Sequence, residues 1–198
     1  MRRIALLGLA WCFGLAPLAY AADAPAPKEG PTAEAEEPPA KAIDRLYARL
    51  AKTNLPDEAA GILGEIDRTR MQSGSDTADL LMSRAIQARS GADSSLTGQL
   101  FDSVVDLYPE WSEAWSERAT ARFRSGDLAG AMGDIAQTLK REPRDIGALA
   151  GLGAILLDAG KPEDALRAYD RALSLAPAFE PLKEARTRAQ TAVWSRAP

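Results

Sequence analysis

"EPRDIGALAGLGAILLDAGKPEDALRAYDRALSLAP", Glu142 to Pro177, decides how the rest of the chain reads. Gly147, Gly151 and Gly153 followed by Gly160-Lys161 resemble a phosphate-cradling loop at first sight. Such a loop needs free backbone N–H groups between a strand and a helix. Here the three glycines stand inside an apolar run of helical length, where those groups are consumed by the helix ladder. Pro162 stands where a nucleotide-binding loop would carry serine or threonine. The stretch therefore predicts two helices joined by a turn at Gly160.

Outward from this stretch the sequence repeats. Pro109, Pro143 and Pro177 are 34 residues apart, and the columns between them agree. Small residues recur as Ala85, Ala119 and Gly153, as Thr97, Ala131 and Ala165, and as Val104, Thr138 and Ala172. Large apolar ones recur as Leu81, Trp115 and Leu149, as Phe101, Ile135 and Tyr169, and as Val105, Leu139 and Leu173; Ala92, Gly126 and Gly160 form the turn column. Small and large side chains at fixed places in such a period describe antiparallel helix pairs whose knobs fill their neighbours' holes.

The pattern resembles the tetratricopeptide repeat (TPR). Leu149, Leu152-Gly153, Ala165, Tyr169, Ala172 and Pro177 carry that signature best. The repeat over 112–145 keeps Trp115, Ala119, Gly126, Ala131 and Pro143 but has Arg118 where leucine is usual and Thr138 where alanine is. The repeat over 78–111 is weaker, with Arg84 and Thr97 at the leucine and first alanine places. The resemblance implies an all-α solenoid of about three repeats, 78–111, 112–145 and 146–179, within a helical domain over 41–198.

The flanks fit it. Ile43, Leu46, Tyr47 and Leu50 lie at helical spacing, and Pro56 opens a second helix bearing Ala59, Ile62, Leu63 and Ile66. Pro56 to Ile66 superposes on Pro162 to Ala172 without a gap, so 41–77 reads as a degenerate fourth helix pair. Over 180–198, Leu182, Ala185, Ala189 and Val193 form one stripe, with Lys183, Arg186 and Arg188 elsewhere, which predicts a capping helix and tail.

Before the helices, Arg2 and Arg3 precede an apolar run from Ile4 to Leu18 and the small-x-small step Ala19-Tyr20-Ala21. This predicts a signal peptide over 1–21, cleaved after Ala21, and export to a bacterial periplasm or beyond. The run of about 15 residues is shorter than a membrane span needs. An uncleaved anchor is the alternative, making the protein a membrane-tethered envelope assembly factor. Residues 22–40, rich in proline, alanine and glutamate, predict a disordered linker.

Chemistry is narrowed by what the 198 residues lack. There is no histidine, and the single cysteine, Cys12, falls in the expected signal. The commonest general base and transition-metal ligand are missing, as is any disulfide in the mature chain. No metal or cofactor is expected, and an enzyme with an unrecognised carboxylate or serine site is the weakest reading. Losing Arg2 and Arg3 takes the net charge from -4 to -6, which disfavours nucleic acid.

A protein or peptide partner remains. In TPR proteins the first helices of successive repeats line a concave groove. The resemblance places there Asp79, Met82, Ile86 and Arg89, then Glu113, Ser116, Thr120 and Phe123, then Gly147, Ala150, Ala154 and Leu157. Chaperone-binding members grip a C-terminal carboxylate with lysines and two asparagines, and this chain has only Asn54. Arg84 and Arg118, in a usually buried column, require carboxylate partners, with Asp102, Glu113 and Asp134 as candidates, or must snorkel to the rim. Arg122, Arg124, Lys140, Arg141 and Arg144 could form a basic edge, and Trp111 and Trp115 read as packing residues. The expected function is an exported interaction scaffold that binds its partner in the groove.

Overall fold

The computed structural model describes residues 39–90 and 94–195. The expected export signal, the linker up to residue 38, Ala92 of the turn column and the last three residues lie outside them. Among the described residues there are nine α-helices and no strand. They are α1 Pro39–Leu50, α2 Pro56–Arg70, α3 Asp76–Arg89, α4 Ser94–Leu107, α5 Ser112–Arg124, α6 Leu128–Arg141, α7 Ile146–Asp158, α8 Pro162–Leu175 and α9 Glu180–Trp194. Helix pairs α3–α4, α5–α6 and α7–α8 lie at the three expected repeats, α3 starting two residues before 78, and α9 starts at 180. α1 begins two residues earlier than expected, because proline is tolerated in a helix's first turn.

The helix ends are written locally. Asp127 and Asp145 cap α6 and α7 by accepting from the backbone N–H groups of Gly130 at 2.9 Å and Ala148 at 2.7 Å. Pro56 and Pro162 open α2 and α8. Gly126 and Gly160, with φ of 85° and 71°, end α5 and α7 in the left-handed conformation. The paired bonds Gly126 N–H to Phe123 O with Asp127 N–H to Arg122 O, and Gly160 N–H to Leu157 O with Lys161 N–H to Leu156 O, close both helices in Schellman motifs.

The small columns are the places of closest approach. Ala85, Thr97, Val104, Ala119, Ala131, Thr138, Ala165 and Ala172 are all buried. A Cβ on Gly153 would sit 2.6 to 2.9 Å from carbons of the Tyr169 ring, so α7 and α8 can pack at this distance only with glycine there. Phe101, fully buried between α3 and α4, is the corresponding large residue one repeat length from Ile135. Its burial contributes about 2–3 kcal/mol by apolar area.

The first helix pair departs from the stack. α4 packs on α5, α6 on α7 and α8 on α9, while α1 and α2 pair with each other and α2 makes no comparable face against α3. Instead Tyr47, Leu50, Ile62 and Ile66 join one apolar cluster with Ile146 and Leu149 of α7, Tyr169 of α8 and Leu182 of α9. Tyr47 donates its hydroxyl hydrogen bond to Arg144 O at 2.8 Å, and Arg144 stacks on the Tyr47 ring and pairs with Asp44 at 2.7 Å. The expected helix pair is present, yet it reaches the third repeat directly. Its docking puts the end of α2 beside the first turns of α5 and α7.

Candidate functional site

Two successive first helices, α5 and α7, face each other across an open cavity of about 330 Å³. From α5 come Glu113, Ser116, Glu117, Thr120 and Phe123, and from α7 come Gly147, Ala148, Gly151 and Ile155. Ile135 of α6 lies behind, and Asp67, Arg70 and Met71 at the end of α2 form one wall. Every three or four residues a helix returns to the same face, which is why these positions of α5 converge. A smaller cavity of about 170 Å³ beneath α2 is lined by Tyr47, Leu63, Ala150 and Phe179 among others.

The glycines of α7 have different reasons to be there. Gly153 is fixed by Tyr169. Gly151 is not: a Cβ would rest 3.5 Å from Ile135 Cδ1, an ordinary contact. At Gly147 a Cβ would meet only Asp145 Oδ1 at 3.3 Å, and Gly147 is exposed. Each glycine costs about 1 kcal/mol of helix propensity relative to alanine. Both border the cavity, where they leave backbone rather than side chain at the surface.

Charge converges at the cavity's inner end. The Arg70 guanidinium is buried between two carboxylates, Nε lying 2.5 Å from Glu113 Oε1 and Nη2 2.7 Å from Asp145 Oδ2. Burial opposes its charge, but Asp145 and Glu113 more than offset this and raise its pKa. Asp145 is also the α7 N-cap, and Glu113 stands in the first turn of α5, so both carboxylates sit where helix N–H groups favour negative charge. Glu113 is nonetheless less well served. Its Oε1 accepts no aligned hydrogen bond, and burial, only partly countered by Arg70, pushes its carboxyl up to about 8. Trp111 Nε1 donates to Arg70 O at 3.0 Å and holds the end of α2 in place.

Arg118 answers the question raised by its column. It forks onto Asp134 through Nε at 3.0 Å and Nη2 at 2.8 Å and reaches Asp102 through Nη1 at 2.8 Å. Arg122 adds a bond to Asp134 at 2.9 Å. Of the three expected partners, Glu113 is the one not used, because Arg70 holds it. Arg84 is exposed and needs no buried partner.

The expected groove residues divide. Glu113, Ser116, Thr120, Phe123 and Gly147 line the α5–α7 cavity, and Gly147 and Ala150 the smaller one beneath α2. Met82 is only 2% exposed and belongs to the α3–α4 core, so it cannot meet a partner. Ile86 packs against that same core, Leu157 packs against the α7–α9 core, and Ala154 is half-buried. Asp79 accepts from Ser73, and Arg89 is paired with Glu117. The expected basic edge does not form as a unit, since Arg122, Arg141 and Arg144 turn to Asp134, Gln137 and Glu142, leaving Arg124 and Lys140 exposed. Trp111 and Trp115 are packing residues as expected, and the Trp115 ring lies 4.9 and 5.0 Å from the Arg118 and Arg141 guanidinium carbons. Arg70, Asp67 and Asp145 were not among the expected site residues. Two clues to them are an aspartate directly ahead of the apolar run at Ile146, and an arginine that falls on buried Ala176 when Pro56 is set on Pro162.

Comparison with known proteins bears on the same region. The tetratricopeptide repeat family model matches residues 147–179. A TPR repeat-containing protein of Rhizobium etli is 35% identical over 150 residues, covering 76% of this chain and 74% of the relative. Tetratricopeptide repeat protein 36 of Homo sapiens is 28% identical over 142 residues, covering 69% and 74%. Among solved structures, the first TPR of Spaghetti (RPAP3) bound to the HSP90 peptide SRMEEVD superposes with a TM-score of 0.56 at 21% identity, over 59% of this chain and 92% of that one. MamA does so with 0.56 at 14%, over 79% and 85%.

Proposed function

The chain belongs to the tetratricopeptide repeat family, and from that premise we propose that it is an exported, non-enzymatic adaptor whose α5–α7 groove holds a segment of another protein. One observation carries this reading: the open cavity lies between consecutive first helices and is lined by groove positions of both. A peptide-bound fold neighbour supports a binding role in general terms, at an identity that speaks only for the fold. A chain without histidine offers no imidazole base, which favours binding over catalysis. Phe123, 43% exposed at the groove, offers a partner apolar surface at little cost to the fold.

Affinity capture from the native cell envelope tests the groove. Wild type should retain a protein set that Phe123→Glu loses at unchanged melting temperature. Capture of the same set by both would contradict the groove reading. Export rests on residues 1–21 alone, and intact mass of the mature chain checks it: a first residue of Ala22 supports cleavage, and a retained Met1 overturns it.

A further inference from the structure

We propose that the α5–α7 groove selects a partner segment carrying an arginine or lysine side chain, received beside Asp67, Glu113 and Glu117 while its backbone crosses Gly147 and Gly151. The inference rests on the groove reading above and names the chemistry of its partner.

The cavity is lined by four carboxylates, Asp67, Glu113, Glu117 and Asp145, and by one cation, Arg70. Arg89 answers Glu117 from outside the lining. Asp145 is the better served of Arg70's two partners, with a hydrogen bond at 2.7 Å and a backbone N–H besides. Glu113 is left with an ion-pair contact whose oxygen accepts no aligned hydrogen bond, although the residue is only 8% exposed. Asp67, exposed at the rim, feels the charges of Arg70 and Arg68 without a close ion pair among the described residues. The cavity lining therefore holds more acidic than basic side chains, and a buried carboxyl short of donors gains a partner when a guanidinium or ammonium arrives. That burial raises the Glu113 pKa agrees with this shortage.

Shape points to an extended segment. Gly147 and Gly151 are one helical turn apart and open onto the cavity, Gly151 with only an ordinary contact to Ile135 and Gly147 with Asp145 Oδ1 as its close neighbour, so a partner's main chain can approach α7 there more closely than side chains would allow. Phe123, ten residues and about 15 Å of helix rise along α5 from Glu113, offers an apolar contact to a neighbouring residue of the same extended segment. A metal ion is a poorer fit, because no group of three or more acidic side chains among the described residues converges to hold one. An acidic C-terminal segment would meet the same carboxylates and be repelled.

A phage-displayed random dodecapeptide library panned against the full mature chain tests the proposal. Selected peptides should be enriched in arginine or lysine and depleted in aspartate and glutamate. A synthetic copy of the strongest should bind Glu113→Gln at least about fivefold more weakly and Gly151→Met at least about tenfold more weakly, with both variants keeping their circular dichroism. Neutral or acidic sequences whose binding is lost in Gly151→Met would overturn the cation preference and keep the groove reading. Selected peptides that bind wild type, Glu113→Gln and Gly151→Met alike, or a library yielding no saturable binder, would overturn both.

Discussion

The molecule carries two arginine-carboxylate networks, and they are built differently. Around Asp134, Arg118 and Arg122 are matched by Asp134 and Asp102, and the central carboxylate receives three hydrogen bonds of 2.8 to 3.0 Å. Around Arg70, one guanidinium is shared between Glu113 and Asp145, with Asp67 and Glu117 close by. In the first network the buried carboxylate of Asp134 is saturated with donors, and Asp102 and Asp127 meet the same arginines at its exposed edge. The second shares one guanidinium between two buried carboxylates, leaves Glu113 Oε1 without an aligned donor, and forms one end of the groove. A donor-saturated network completes a fold, while a donor-poor one beside an opening leaves an interaction for something else to make.

The contrast can be broken most sharply by removing one arginine from each. Arg70→Met should cost about 3–5 kcal/mol in urea unfolding, because Glu113 and Asp145 are left buried without a cation. Arg118→Met should cost only about 1–2 kcal/mol, since Arg122 stays on Asp134. The reverse order would refute the distinction.

Titration separates the networks next. An acid whose folded pKa is raised contributes stability below its ordinary value and loses it as pH rises through the folded one. With Glu113 pushed up to about 8, wild-type stability should fall between pH 5 and pH 9 by on the order of 4 kcal/mol. Glu113→Gln should flatten that slope. Equal slopes in wild type and Glu113→Gln would show that Glu113 is not strained.

Smaller effects distinguish the glycines of α7. Gly153→Ala should lower stability by about 1–2 kcal/mol despite better helix propensity, because the buried Tyr169 ring must shift. Gly151→Ala should raise it by about 0.5–1 kcal/mol, while Gly147→Ala, in the first turn and 3.3 Å from the capping oxygen Asp145 Oδ1, should change it little. Thermal melts of the three single variants check the order, and a loss at Gly151 equal to that at Gly153 would mean packing explains both.

Much of this was legible in the sequence. The 34-residue period marks Gly153, Ala119 and Ala131 as small-residue positions because close helix packing leaves a mark on residue size. The turns at Gly126 and Gly160 were legible because a left-handed backbone leaves a mark on residue type. Arg118's partners Asp102 and Asp134 could be named since a buried charge demands an answer. The docking of α1 and α2 on the third repeat was not legible. It depends on long-range pairs, Tyr47 with Arg144 and Arg70 with Asp145, and each member alone looks like an ordinary surface residue. Met82 was misplaced for a related reason: at the solenoid's first repeat the helix face that would line a groove packs into the core beside Met71 and Trp111.

The central claim is that a partner docks at the donor-poor network around Glu113 and not at the donor-saturated one around Asp134. Amide chemical-shift mapping of the mature chain with the selected basic peptide tests it directly. The account predicts perturbations concentrated at Glu113, Thr120, Phe123, Gly147 and Gly151, with Asp102, Trp115, Arg118 and Asp134 unmoved. Perturbations centred on that second set would contradict it.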